Sequence, residues 1–483
     1  MRLEIATGSY ESDSLPLSAQ RCINWEPVIP QASALSDRAL FDVRGIREKT
    51  LTGATISGFN RGSAVVDGVP YHINGQNLYS VSSAGVVTDH GEIVGTKRVS
   101  LATNGRYLVI VVPGSRSYVF DNTDSSLTQI TDLDFQTSDT VTFKDGFFVF
   151  TASDGEQFFH SNLNQPLTFS ALDFGTAEVR PDKIVGQIVN YNELYIAGEE
   201  VFELFRTIGG SGFVFQRVPG ANIQKGLHAK HSLIEFNQSF VFLGGGVNEL
   251  TSVWRAQSSA SVDKISTSAI DSAIQEYTRD EIADAFAFTY AYGGNFFVAF
   301  TFTSTRIPSK TFVYDATTSA LAGVPTWHER QSGVDDDKWR VTSIVSAYGE
   351  LVVGDSIDGR IGVLDKAVYT EYGNPIYRSK TSRPFDSDRF PLFVSELKLT
   401  MESGTGSTSL DPQILMRYSD DGGRTYSNGF PRSYGKVGQY QKLPSWRRQG
   451  LVQRDRVLRF TTTEAAKSTI LRLDATGTPG AQM

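Results

Sequence analysis

His228-Ala-Lys-His231 sets two imidazoles three residues apart, a spacing that brings both to one metal ion only on a helix. Gly226 precedes the pair and no carboxylate follows at a ligand spacing, so polar surface is the better expectation. Asp335-Asp-Asp337 offers three carboxylates, but consecutive positions lack the alternate spacing and distal glutamate of a calcium loop. A solvated turn is expected there. Cys22 is the single cysteine, and no histidine or asparagine stands in a recognisable thiol-protease context around it. It reads as a small buried residue. The sequence has no phosphate loop ending in Lys-Ser or Lys-Thr, no Gly-x-Ser-x-Gly elbow and no His-Glu-x-x-His. These residues therefore predict no catalytic group, no metal site and no cofactor.

A second kind of chemistry is recognition. Between Arg432 and Arg459 lie Arg432, Lys436, Lys442, Arg447, Arg448, Arg454, Arg456 and Arg459 against one acid, Asp455. Tyr434, Tyr440, Trp446 and Phe460 are interleaved. Such a mixture suits phosphates and stacked bases. It equally suits an acidic protein surface, where Arg, Tyr and Trp are favoured anchors. The chain as a whole carries a net charge of −8, which argues against bulk nucleic-acid binding. A subunit interface is the expectation, with Arg432, Lys436, Arg447, Arg448, Arg454 and Arg456 as its candidates, joined by Trp25 near the amino end.

Ser419-Asp-Asp-Gly-Gly-Arg-Thr-Tyr426 matches the Asp box, Ser-x-Asp-x-Gly-x-Thr-aromatic, of sialidase-like propellers. Physically it is a hairpin in which Asp421 caps turn amides and Gly423 takes positive φ. It is a folding element, so a sialidase-like glycosidase stands only as an alternative, beside a ligand-binding propeller adaptor.

The elements that position these groups repeat. A turn pair followed by β-branched and aromatic residues returns near Asp67-Gly68, Asn104-Gly105, Asp145-Gly146, Asn192-Glu193, Asn237-Gln238, Gly293-Gly294 and Gly349-Glu350. A period of about 40–50 residues is what four-stranded propeller blades require. The predicted fold is all-β: a propeller of six to eight blades, seven favoured, over 46–370. Residues 1–45, with Pro27 and Pro30, read as an extended arm. Ile265, Ala269, Ile270, Ala273, Ile274 and Tyr277 recur at helical steps, and Thr278-Arg-Asp-Glu281 has capping-box spacing. A helical insertion at 261–285 follows, either a contact to a neighbouring subunit or a crossover between blades. After 370 the repeat stops, and strands around Leu392–Met401, Gln413–Tyr418, Arg456–Thr461 and Thr469–Leu473 predict a sandwich-like domain over 371–483. Met1-Arg2-Leu3-Glu4 leads into no apolar run, and the longest apolar runs fall well short of the roughly 20 residues of a membrane helix. Neither a signal peptide nor membrane insertion is expected.

Three patches resemble the packaged-DNA stabilisation proteins, the tail hub or nozzle family of short-tailed bacteriophages. They are Gly8-Ser-Tyr10 with Leu17–Trp25, then Ala269–Ile274 with Tyr277–Ile282, Phe312–Ala316 and Trp327, and finally Asp421–Tyr426, Gly435–Tyr440 and Trp446–Arg448. The resemblance implies a non-enzymatic virion protein made in the host cytoplasm. It further implies a hexameric ring that extends a portal-adaptor tube, retains packaged DNA, and docks a needle, spikes or fibres. Genomic DNA would pass through the ring without sequence-specific binding.

Overall fold

The computed structural model describes residues 1–480 apart from 178, 181, 211, 259 and 387–390. Seven antiparallel sheets succeed one another along the chain. Their innermost strands are Asn60–Val66, Ser100–Thr103, Ser138–Lys144, Ile184–Asn190, Ile234–Phe236, Phe286–Tyr292 and Val341–Ala347. Each inner strand packs beside the next, and the seventh packs beside the first. The ring is sealed there by side chains: Ser63 and Ser343 hydroxyls meet at 2.8 Å, and Thr342 and Ser343 donate to Asn60 Oδ1 at 2.9 and 2.8 Å. This is a seven-bladed propeller, and the blades are numbered 1 to 7 in chain order below.

Most of the hairpins between first and second strands use two residues of positive φ, the turn whose twist matches that of paired strands. Asp67-Gly68, Asp145-Gly146, Asn237-Gln238 and Gly293-Gly294 stand where the repeat places them. In blades 4 and 7 the pair is Tyr191-Asn192 and Tyr348-Gly349, one residue earlier than the sequence suggests. A buried aromatic and β-branched strand follows each turn, as in Phe147–Ala152 and Asn295–Phe302. Consecutive blades bury these between them; Phe135, Phe150, Phe159 and Phe169, for instance, form one aromatic cluster of stacked and edge-to-face pairs.

Blade 7 has only three strands from its own stretch of chain. The fourth is Gly45–Glu48, which pairs antiparallel with Ile361–Asp365 and closes the ring. A Cβ on Gly45 would come within 2.4–2.5 Å of the Val368 and Thr370 carbonyls, so no other residue fits without moving the backbone.

Residues 1–45 are not the extended arm expected. Arg2–Leu3, Trp25–Val28 and Ala39–Asp42 lie in the same six-stranded sheet as Leu392–Met401, Ser445–Val452 and Ile470–Pro479. Cys22–Ile23 bridges Trp327–Arg330 of blade 6 to Arg378–Thr381, so one sheet runs out of the propeller into the carboxy-terminal sandwich. The two prolines permit this because both sit at or just beyond short strands with few ladder bonds to give up. The second sandwich layer continues through Val457–Thr462, Gln413–Ser419 and Phe430–Ser433. Leu397, Leu399, Ile414, Met416, Trp446, Leu458 and Phe460 fill the space between layers. The broken alternation at Val394, Leu397 and Leu399 is a β-bulge: register shifts between Val394 and Glu396 against both neighbouring strands.

The insertion is shorter than 261–285. Ser261–Lys264 is the outer strand of blade 5, and helices α1 (Ser268–Gln275) and α2 (Arg279–Ala283) follow. The capping box forms as its spacing predicts: the Glu281 amide donates to Thr278 Oγ1 at 3.3 Å, and the Thr278 amide to Glu281 Oε2 at 2.7 Å. Ile270, Ile274, Tyr277 and Ile282 pack against Phe300, Phe302 and Trp327, so the apolar face serves a crossover between blades 5 and 6. A further helix not predicted from the sequence, α3 (Ala316–Ala322), has Asp315 as its N-cap and Gly323 ending it at φ 69°.

Where the amino-terminal segment meets blade 6, Glu26 is buried and accepts a hydrogen bond from the Tyr292 hydroxyl, with Arg44 stacked on the Tyr292 ring at 4.0 Å. Burial pushes the Glu26 carboxyl up to about 7. An acid whose folded pKa is raised gives its full stability below its unfolded value and loses it as pH rises through the folded one. Glu26→Gln is therefore expected to gain on the parent protein between pH 4.5 and pH 8, by at most about 3 kcal/mol. Denaturant midpoints at the two pH values measure this; an unchanged difference between them would refute it.

Candidate interaction surface

The Asp box forms the hairpin expected, but in the sandwich and not between blades. Asp421 Oδ1 accepts from the Arg424 and Thr425 amides, both at 2.9 Å, and Oδ2 accepts from the Thr425 hydroxyl at 2.6 Å. Ser419 Oγ donates to Asp421 at 2.6 Å and accepts from the Gly423 amide at 2.8 Å, where φ is 94°. Hydrogen bonds from Ser419 and Thr425 hold the Asp421 carboxyl well below the usual range. All of its acceptor capacity is spent on the turn, which leaves the group no part in chemistry.

The hairpin and its neighbours carry the basic stretch. Phe430–Ser433 is the last strand of one sandwich layer and Ser445–Val452 the last strand of the other. The two edges meet side by side: Arg432 Nε donates to the Ser445 carbonyl at 2.8 Å and Trp446 Nε1 to the Phe430 carbonyl at 2.8 Å. Arg432, Arg447 and Arg448 are exposed on this seam, the Arg447 side chain at 80%, and Lys436 is half-buried in the connecting loop. Tyr440, Leu443 and Phe430 are exposed beside them. Charge on a sheet edge discourages indiscriminate strand pairing, and Arg beside exposed aromatics is also what a specific partner would grip.

Two of the candidates do not belong to that surface. Arg456 keeps only 3% of its side chain exposed, pairs with both oxygens of Asp420 at 2.6 and 2.7 Å, and stacks on Tyr418 at 4.2 Å. Neighbouring strand positions face opposite sides, so a run of basic residues in sequence cannot all reach one face. Trp25 is fully buried in the sandwich core and is unavailable to another subunit. Arg454 is 82% exposed but pairs with Asp455 in the turn beyond the edge strand.

The remaining motifs are structural. His228 Nδ1 lies 2.8 Å from the Thr251 hydroxyl, and burial lowers its pKa. No group of three metal-ligating side chains occurs among the described residues. Asp336 is not merely solvated: together with Glu329 it holds Arg21, at 2.8 and 2.6 Å, and so fastens the amino-terminal segment. Cys22 is buried, bonded to the Trp25 carbonyl at 3.1 Å, and its thiol is pushed up to about 12 by burial, which makes it inert.

One cluster escaped sequence reasoning. Arg61, Lys97, Arg98, Lys230 and Lys338 come from blades 1, 2, 5 and 7 or their linkers and converge at the axial mouth of the propeller. Their separation in the chain gives no periodic signal. The one local clue is the extra residue at the start of several inner strands, a β-bulge visible only in the pairing register.

Residues 1–369 match the family described as bacteriophage P22 Gp10, beta-propeller, and residues 383–478 match bacteriophage P22 Gp10, beta-sandwich. The chain belongs to the Gp10 family. Both units of the fold are accounted for, and the boundary between the matches falls where the repeat ends. Gp10 proteins are structural components of the phage particle and not enzymes, which sets aside the glycosidase alternative. No curated protein matches the sequence. Among solved structures, the extracellular domain of a hybrid two component system from B. thetaiotaomicron is similar at 11% identity and TM-score 0.39, over 77% of this chain and 45% of that one. A chain of the mitotic checkpoint complex shares 11% identity at TM-score 0.39, over 70% and 96%. The computationally designed Ika8 protein shares 12% at TM-score 0.37, over 71% and 99%. Likeness at this level carries nothing to Gp10 function. No helix among the described residues is long and apolar enough to cross a membrane.

Proposed function

We propose that this Gp10-family chain is a subunit of the tail hub ring of a short-tailed phage. In this reading six copies surround the DNA channel below the portal adaptor, hold packaged DNA in, and dock a needle, spikes or fibres. The observation that carries the reading is family membership across both the propeller and the sandwich. The seam of exposed Arg432, Arg447 and Arg448 with Tyr440 is the surface through which the sandwich meets a neighbouring part. DNA passes through the assembled channel without being read, as suits a chain of net charge −8.

The double substitution Arg447→Glu with Arg448→Glu tests the seam. Among the described residues the exposed Arg447 side chain pairs only with Glu396, at 3.3 Å, so the isolated subunit should keep its stability to within about 0.5 kcal/mol. Native mass spectrometry and negative-stain imaging of the parent should show a six-membered ring with an open centre, and the variant should remain in smaller species. A parent that stays monomeric with purified adaptor rings would overturn the reading. A variant that assembles normally would remove the seam from it.

A further inference from the structure

We propose that the axial mouth of the propeller is a binding site for a small organic anion bearing a phosphate group, held by Arg61, Arg98, Lys97 and Lys338. The site is a cavity of about 510 Å³ where the inner strands begin, walled on its apolar side by Phe59 and Phe286. That volume lies within the range of pockets that take organic ligands and exceeds what one inorganic ion needs.

In blade 1 the backbone places a cation in the cavity wall. In blade 1 the pairing of Ile73 with Gly62 and Asn74 with Asn60 leaves Arg61 as the extra residue of a bulge. The same irregularity makes Asp139 the extra residue in blade 3 and Thr342 in blade 7. Bulges redirect side chains, and here they recur at one end of the axis. Arg61 is 1% exposed and lines the cavity. Its Nε donates to the Lys97 carbonyl at 2.8 Å, and Nη1 to the Gly75 and Ile93 carbonyls at 2.9 Å each. Its Nη2 has no hydrogen-bond partner among the described residues. A buried guanidinium with one N–H unbonded leaves positive charge uncompensated at the cavity wall.

Arg98 and Lys97 lack counter-charges as well, and Lys338 has only its chain neighbour Asp337. Arg98 donates to the Thr342 carbonyl at 3.0 Å and lies over the Phe286 ring at 4.2 Å. Lys97 and Lys338 reach only neutral oxygens, the Pro113 carbonyl at 3.5 Å and the Thr303 hydroxyl at 3.2 Å. Arg61, Arg98 and Lys97 form no ion pair with a carboxylate among the described residues. Lys230 is the exception, paired with Asp139, and Asp284 is an exposed acid on the cavity wall. Burial lowers Arg61 and Arg98 to about 10, as expected of cations drawn from water without an anion to meet them, and lowers Lys338 against the opposing pull of Asp337. Gathering like charge this way is unfavourable unless something offsets it. A phosphate takes several N–H donors at once and carries the required charge. The aromatic walls favour an organic substituent on it.

Titration calorimetry on the full chain with phenyl phosphate, and separately with inorganic phosphate, tests the site. Phenyl phosphate is expected to bind with Kd at or below about 1 mM, and inorganic phosphate more weakly. Lys97→Gln with Lys338→Gln should weaken phenyl phosphate at least tenfold, and Arg98→Gln should do the same, with the melting temperature unchanged for exposed Lys97→Gln alone. Absence of saturable heat with either compound would overturn the proposal. So would an unaltered Kd in both variants, or an equal response to chloride at matched ionic strength.

Discussion

Asp42→Ala is expected to destabilise the protein by about 3–5 kcal/mol, because it strands a buried guanidinium. Arg378 is fully buried with its Nε 3.0 Å from Asp42 Oδ1. The same carboxylate accepts from the Ser468 amide at 2.8 Å and the Ser468 hydroxyl at 2.5 Å. One side chain thus ties the amino-terminal segment to the first and last strands of the sandwich. A thermal melt should fall by about 3–5 °C. Adding Arg378→Met to the variant should recover much of the loss, since a buried pair replaced by apolar groups is close to neutral. If the single variant melts with the parent, the junction is held by something else.

Trp25→Ala is expected to cost about 3–5 kcal/mol as well, here through a cavity. Trp25 pairs in register with Asp42, its ring is enclosed by the sandwich core, and its indole N–H donates to Ser468 Oγ at 3.3 Å. Trp25→Phe should keep most of the packing. Because Trp25 and Asp42 both act through Ser468, the two losses should not add, and a double-variant cycle on denaturant midpoints measures the coupling. Additive losses would show the two contacts to be independent.

The blades were legible because their signals are local: a turn pair of positive φ, then an aromatic or β-branched strand, all within one hairpin. What fails to show in sequence is pairing across long separations. Gly45–Glu48 reads as ordinary polar chain, and nothing near it says that its partner is Ile361–Asp365. Pro27 and Pro30 made residues 1–45 look extended, although Trp25–Val28, which contains Pro27, is the edge strand of a sandwich sheet. Ser261–Lys264 was absorbed into a helix because Ile265 continues the helical spacing of α1 backwards. Helix α3 was missed since Thr317, Thr318 and Ser319 are weak helix formers and the N-cap Asp315 reads equally as a turn. For the candidate surface, composition identified the charged segment, while burial of Arg456 and Trp25 depended on strand facing and sheet order that composition does not carry.

The path of the first 48 residues has a consequence for synthesis. A ribosome releases Gly45–Glu48 long before it makes Ile361–Asp365, and Trp25–Val28 before Ile470–Pro479. Beyond its own local pairings, such as Trp25–Val28 with Ala39–Asp42, the leading segment must therefore wait for its distant partners while the blades between form in turn. Neither half can be completed by expressing it alone: cutting the chain at the linker would deny the sandwich several of its strands and the ring would keep its latch without the anchor behind it. Maturation of this subunit is an event of the finished chain.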